Sequence, residues 1–172
     1  MRLFFLLFTL PLMTYGQCIE NDWLGTYDGV MEIYGRSGLQ QNVGVRFDLK
    51  PLDEPFSWSY TMNYINQKND EIISTKAYKI VYREESNTCW MDEGDGLLIE
   101  MNLLGNCFYD HFQLNDMFYN SSLCKEGNDL LFCITGGKKK PTYSSPHIVE
   151  AGGVVETMRI DFLQRVKLKL RQ

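Results

Sequence analysis

Apolar residues recur at every second position over most of the chain from residue 23 to residue 170, and this alternation constrains the fold more than any other feature. In segment 56–64, the alternating apolar residues are Phe56, Trp58, Tyr60, Met62 and Tyr64. Successive side chains of a strand point to opposite faces of its sheet, so a period of two is typical of strands with one buried face. Helical spacing is almost absent, and the chain is predicted to be all-β.

Turn residues divide this pattern into short strands. Strands are predicted at residues 23–33, 43–49, 56–64, 72–83, 88–92, 97–104, 107–114, 117–124, 129–135, 153–162 and 164–170. Gly105-Asn106, Asn115-Asp116 and Gly127-Asn128 suit hairpins, because these residues accept positive φ. An antiparallel meander of about ten strands exposes two edges unless it closes, so a β-barrel is predicted, with a two-sheet sandwich as the alternative.

One connection, residues 136–152, is much longer than the others and contains Lys138-Lys139-Lys140, Pro141 and Pro146. Unstructured loops above about 12 to 15 residues are often lids or binding loops. The segment is interpreted either as a lid over a binding site or as a surface excursion without a role.

The N-terminus has the order of a secretory signal peptide. Arg2 precedes an apolar run over residues 3–8, and the small residues Thr14 and Gly16 follow. The run is too short for a membrane span of about 20 residues. Residues 1–16 are therefore predicted to be a cleaved signal peptide, and residues 17–172 a single β-barrel domain.

This export signal and the charge balance define the expected compartment and partners. Gln17, directly before Cys18, is unsuited to a lipid-attachment site, so a freely soluble periplasmic or extracellular protein without a transmembrane span is expected. Cleavage removes one of 17 Lys and Arg residues and none of the 22 Asp and Glu residues. An acidic surface repels phosphate backbones, and no nucleic acid partner is expected.

Five cysteines remain after the predicted cleavage, at Cys18, Cys89, Cys107, Cys124 and Cys133. Across a two-residue turn at 115–116, Cys107 lies directly opposite Cys124 at a non-hydrogen-bonded site, where side chains approach most closely. A disulfide between these two is predicted, and the pairing of the other three is left open with at least one free thiol. No Cys-x-x-Cys motif occurs, and no metal or other cofactor is assigned.

The sequence supports no specific enzymatic activity. The two histidines, His111 and His147, have no catalytic spacing, and residues 92–96 are interpreted as a turn and not as a calcium loop. Asp110 shares a strand face with Phe108 and Phe112, whereas His111 points to the other face. Asp110 is either a catalytic or ligand-binding carboxyl or a buried one paired with a tyrosine or an arginine.

Aromatic residues are concentrated on the faces predicted to point inward. Tyr and Trp offer an apolar ring and a polar tip, and they suit a cavity for a small apolar or amphipathic ligand. The predicted ligand-binding residues are Trp23, Tyr27, Phe47, Trp58, Tyr60, Tyr64, Tyr78, Tyr82, Asp110, Phe112 and Tyr119. The same rings, with Phe132, fill a small barrel equally well, so the alternative is a structural or interaction module with a protein or surface partner.

Residues 22–29, Asp-Trp-Leu-Gly-Thr-Tyr-Asp-Gly, resemble the first strand of lipocalin-like, calycin-type barrels. That resemblance implies a basic residue of the last strand, Arg165 or Arg171, packed over Trp23. The Gly after the Trp is similar to the nitrobindin type, which holds haem through a histidine near the C-terminus; residues 153–172 contain no histidine, so haem is not expected.

Nearly the whole mature chain is also similar to uncharacterised exported bacterial proteins. The similarity rests on the Trp-x-Gly-x-Tyr start, Ser57-Trp58-Ser59-Tyr60, the turn at 92–96 and Leu163-Gln164-Arg165. It implies the same fold and export, and it implies no activity.

Overall fold

The computed structural model describes residues 18–146 and 153–171. A short 3₁₀ helix, Asn21–Trp23, precedes the strands. The strands are β1 (Gly25–Gly35), β2 (Gly38–Pro51), β3 (Ser57–Asn66), β4 (Glu71–Arg83), β5 (Thr88–Asp92), β6 (Leu98–Leu104), β7 (Cys107–Leu114), β8 (Met117–Glu126), β9 (Asp129–Lys138), β10 (Tyr143–Pro146), β11 (Val154–Thr157) and β12 (Phe162–Leu170). The predicted signal peptide, residues 1–16, lies outside the described residues.

Ten of these strands form a closed antiparallel barrel in the order β1-β12-β9-β8-β7-β6-β5-β4-β3-β2. Strands β1 to β9 are a consecutive meander, and β12 closes it by pairing with β9 and with β1. Gly105, Asn115 and Gly127 have positive φ at three of the hairpin turns. The predicted all-β barrel is confirmed, and the sandwich alternative is wrong because both edges are paired.

The segment between β9 and β12 differs from the prediction. The expected strand at 153–162 is only four residues long, and β11 pairs with β10 in a separate two-stranded sheet. The expected unstructured loop at 136–152 in fact begins inside β9 and contains β10, while residues 147–152 lie outside the described part of the chain. The reason is that β9 pairs directly with β12, which leaves no place in the barrel for β11.

The barrel interior is filled at one end, called here the closed end, where β2 finishes and β3 begins. Buried residues pack there against one another, and Trp23 meets Phe108 edge-on with ring centroids 5.2 Å apart. At the opposite, open end, where β9 finishes and β12 begins, residues 71–77 of β4 are exposed on both faces. The apolar core therefore occupies the closed half of the barrel.

The basic contact at the closed end comes from β8 and not from the last strand. Lys125 is buried, lies over the Tyr27 ring and donates to the backbone oxygen of Asp22 at 2.5 Å. Arg165 instead bonds Glu32 on the outer surface, and the Arg171 guanidinium lies 3.6 Å from Asp28. The expectation that Arg165 or Arg171 covers Trp23 is therefore wrong, because both side chains pair with acids of β1.

Four of the five cysteines lie in pairs at disulfide distance. Cys107 is paired with Cys124 across the β7–β8 hairpin, with Cα atoms 4.0 Å and Sγ atoms 2.12 Å apart, as the register predicted. The second pair joins Cys18, in the segment that precedes the 3₁₀ helix, to Cys89 of β5. Cys133, on β9, is left as the free thiol among the described cysteines.

We expect Cys107→Ser together with Cys124→Ser to lower the free energy of unfolding by about 3 kcal/mol, because the bond closes a 17-residue separation. Urea unfolding measures the change. Alkylation of the denatured, non-reduced wild type should label Cys133 alone, as read by peptide mass spectrometry; label on Cys107 or Cys124 would contradict the pairing.

Gly29 permits a close approach of β12 to β1. A Cβ atom there would lie 2.5 Å from the Lys167 carbonyl oxygen, at the point where the β1–β12 ladder skips residues 29–31. We expect Gly29→Ala to cost about 1–3 kcal/mol in urea unfolding, because backbone cannot move aside cheaply. The control is Gly35→Ala, whose nearest neighbour is the flexible Gln40 side chain at 3.3 Å; equal losses in both variants would refute the explanation.

Candidate functional site

A cavity of about 240 Å³ lies inside the open half of the barrel. Its walls come from eight strands and from the β5–β6 turn, so no single local motif builds it. The lining residues are Tyr60, Met62, Tyr64, Lys76, Tyr78, Met91, Glu93, Leu97, Ile99, Asp110, Phe112, Leu114, Tyr119, Ser121, Phe132, Ile134 and Gln164. No described residue of the β10–β11 ribbon is among them.

Six of the eleven predicted ligand-binding residues meet at this cavity. They are Tyr60, Tyr64, Tyr78, Asp110, Phe112 and Tyr119. Four others, Trp23, Tyr27, Phe47 and Trp58, are buried in the core of the closed half. Tyr82 borders a separate hollow beside Cys18 and Cys89. The prediction included these five residues because alternation identifies the inward face of a strand. Alternation does not indicate how far along the barrel axis a residue lies.

Several residues that line the cavity are not among the eleven predicted ligand-binding residues. Met62, Met91 and Ile134 are inward-facing but have no polar tip, so they were not distinguished from ordinary core residues. Lys76 lies two positions from Tyr78 on β4, and Ser121 lies two positions from Tyr119 on β8, so each pair faces the same side of its strand. This spacing could have identified Lys76 and Ser121 from the sequence.

Aromatic faces form much of the cavity wall. Phe112 and Tyr119 stack at 4.9 Å with a 14° angle between their planes, and Tyr60 stacks on Tyr78 at 6.1 Å. Burial raises the pKa of Tyr60, Tyr64 and Tyr78, and the Glu93 carboxylate raises that of Tyr78 further. These phenols therefore remain protonated at physiological pH and present neutral hydroxyl groups.

Asp110 is the buried acid of the cavity. The Ser121 hydroxyl donates to its Oδ2 at 2.5 Å, whereas its Oδ1 is buried without a hydrogen-bond partner. Burial raises the pKa of Asp110, while the hydrogen bonds from Ser121 and, more weakly, the charge of the nearby His111 act against that rise. His111 points outward and contacts Asn120 instead, as strand alternation predicted.

The side-chain groups that could hold a metal ion and the turn at residues 92–96 bear on metal binding. Within residues 18–146 and 153–171, no three His, Cys, Asp or Glu side chains are grouped closely enough to hold a metal ion. Residues 92–96 form the expected turn, in which the side chains of Asp92 and Asp95 accept from the backbone of Gly94 and Leu97. Over the same described ranges, no helix is long and apolar enough to cross a membrane.

Comparison with known proteins supports the fold. No family model matches the chain, and no curated protein matches it in sequence. Among solved structures, the barrel is similar to the S-type phycobiliprotein lyase CPES from Guillardia theta, with a TM-score of 0.60 and 7% identity over 88% of this chain and 89% of that one. The chain is a closed ten-stranded antiparallel β-barrel, and at this identity the likeness extends to the fold alone.

The raised pKa of Asp110 predicts a pH-dependent cost to stability. As pH rises above 3.8, the ordinary value, the unfolded carboxyl ionises before the folded one, so the fold loses stability up to the raised pKa. We expect Asp110→Asn to remove this loss, which is about 1.4 kcal/mol for each pH unit between the two values. Urea unfolding between about pH 4 and pH 7 measures it.

Glu32→Gln is the control for that experiment, because it should change the pH dependence of stability in the opposite direction. The hydrogen bond from Arg165 lowers the pKa of Glu32, so the wild type loses this contribution as pH falls. If the free energies of unfolding of the wild type and of Asp110→Asn change in parallel with pH, burial does not raise the pKa of Asp110 and the prediction is contradicted.

Proposed function

We propose that this chain is an exported binding protein that holds a small apolar or amphipathic molecule in the open half of its barrel. The observation that carries the proposal is the cavity itself, about 240 Å³ enclosed by barrel strands. An apolar cavity of about 150 Å³ accepts benzene, so this one suits a ligand on the order of ten non-hydrogen atoms.

The chemistry of the wall supports an apolar ligand skeleton. Rings and aliphatic side chains dominate the lining, and polar groups are few, as in most small-molecule sites. The tyrosines add hydroxyl groups to the ring faces, and the walls are rigid strands that keep the site formed before a ligand arrives.

The alternative, an interaction module with a filled barrel, is less well supported. The packed closed half fits it, since Trp23, Tyr27 and Phe47 occupy that space. The open half does not fit it, because residues 71–77 of β4 are exposed on both faces beside an unfilled cavity.

Export is supported by the cysteines. Two pairs lie at disulfide distance, and disulfides form and persist mainly in oxidising compartments outside the cytosol. We therefore propose cleavage after residue 16, with residues 17–172 as the mature domain. Cys18 would then sit near the mature N-terminus, anchored to Cys89.

A cavity-filling variant tests the site. Ile134 lines the cavity from β9, so Ile134→Trp should weaken binding of naphthalene by roughly tenfold or more, since the larger ring takes the ligand's place. Ligand-observed NMR titration of the purified mature chain measures the affinity.

Thr135→Trp is the matched control, because it adds the same ring to the outer face at the next position of β9. It should bind naphthalene as the wild type does. Absence of naphthalene binding to the wild type, or equal losses in both variants, would contradict the proposed function.

A further inference from the structure

The cavity wall contains one buried polar atom without a partner. Asp110 is 7% exposed, its Oδ2 accepts from Ser121, and its Oδ1 has no hydrogen-bond partner. A buried carboxyl oxygen left unpaired costs free energy that a suitable donor recovers. Because Asp110 lines the cavity, a ligand in the cavity is placed to supply that donor.

Charge favours a cationic donor. No Lys, Arg or His of the described residues forms an ion pair with Asp110. The charged side chains of the wall are the acids Asp110 and Glu93 against the single base Lys76. Lys76 is exposed at the rim, whereas Asp110 is buried deeper, so the interior of the site is negative.

The aromatic side chains of the cavity wall also favour a cationic ligand group. A cation is attracted to the face of an aromatic ring within about 6 Å, and more strongly when water is excluded. The rings of Tyr60, Tyr64 and Phe112 line the same cavity as Asp110. Burial raises the pKa of Tyr60, and the nearby Asp110 charge raises it further.

We infer that the ligand is a small apolar molecule bearing a protonated amine, and that the ammonium group donates a hydrogen bond to Oδ1 of Asp110 while its skeleton packs against the aromatic wall. This inference rests on the proposed function and names its ligand class. A bound ammonium group also offsets the burial that disfavours the ionised form of Asp110.

Four probes with one skeleton test the inference on the mature chain: naphthalene, 2-naphthalenemethanol, 2-naphthylmethylamine and 2-naphthoate. Calorimetric or NMR titration at pH 7 should give the amine about tenfold to a hundredfold higher affinity than naphthalene, and the carboxylate the weakest binding. An amine that binds no more tightly than the alcohol would overturn the inference and leave the proposed function intact. Failure of all four probes would instead defeat the proposed function.

Asp110→Asn assigns the preference to one residue. It should remove most of the amine's advantage over naphthalene, because Asn keeps the size of the side chain and removes its charge. Urea unfolding reports separately that the variant is folded. The control is Glu93→Gln, the other acid of the wall; a loss of amine affinity as large as that in Asp110→Asn would overturn the role given to Asp110.

Discussion

Strand β12 pairs with β9 on one side and with β1 on the other, and these two ladders turn an open meander into a barrel. Without β12, both edges of the sheet would expose unpaired backbone groups. The closure depends on a close approach of the β12 backbone to β1 at Gly29, where a side chain of any other residue would collide with the Lys167 carbonyl oxygen. The cavity also depends on it, because Gln164 of β12 completes the wall beside Ile134.

The two halves of the barrel differ in what their inward side chains do. At the closed end, the rings of Trp23 and Phe108 and the buried Lys125 pack inside the barrel, apart from the hollow beside Cys18 and Cys89. At the open end, the strands extend beyond the core, and their inward residues face a cavity. A barrel packed at one end supports the strands that wall the cavity at the other, which favours a preformed cavity.

The sequence predicted the strands well where alternation and turn residues agreed. The limits of β7 match the prediction, because Gly105 and Asn115 mark the hairpin turns on either side of it and accept positive φ. The pairing of Cys107 with Cys124 followed from the same turn. The prediction was wrong at residues 153–162, where a barrel strand was expected. Val154 and Val155 instead lie in an exposed ribbon with β10, because β9 pairs directly with β12.

The sequence alone therefore determined most of the barrel strands, the register of the β7–β8 hairpin and the alternation of their faces, since these depend on neighbours along the chain or across one turn. Only the tertiary structure decided which inward residues fill the core and which surround a cavity. Trp58 and Tyr64 share a face of β3, yet one is buried in the core and the other lines the cavity. That difference comes from the tilt and stagger of strands around the closed barrel, which bring distant residues to the same height.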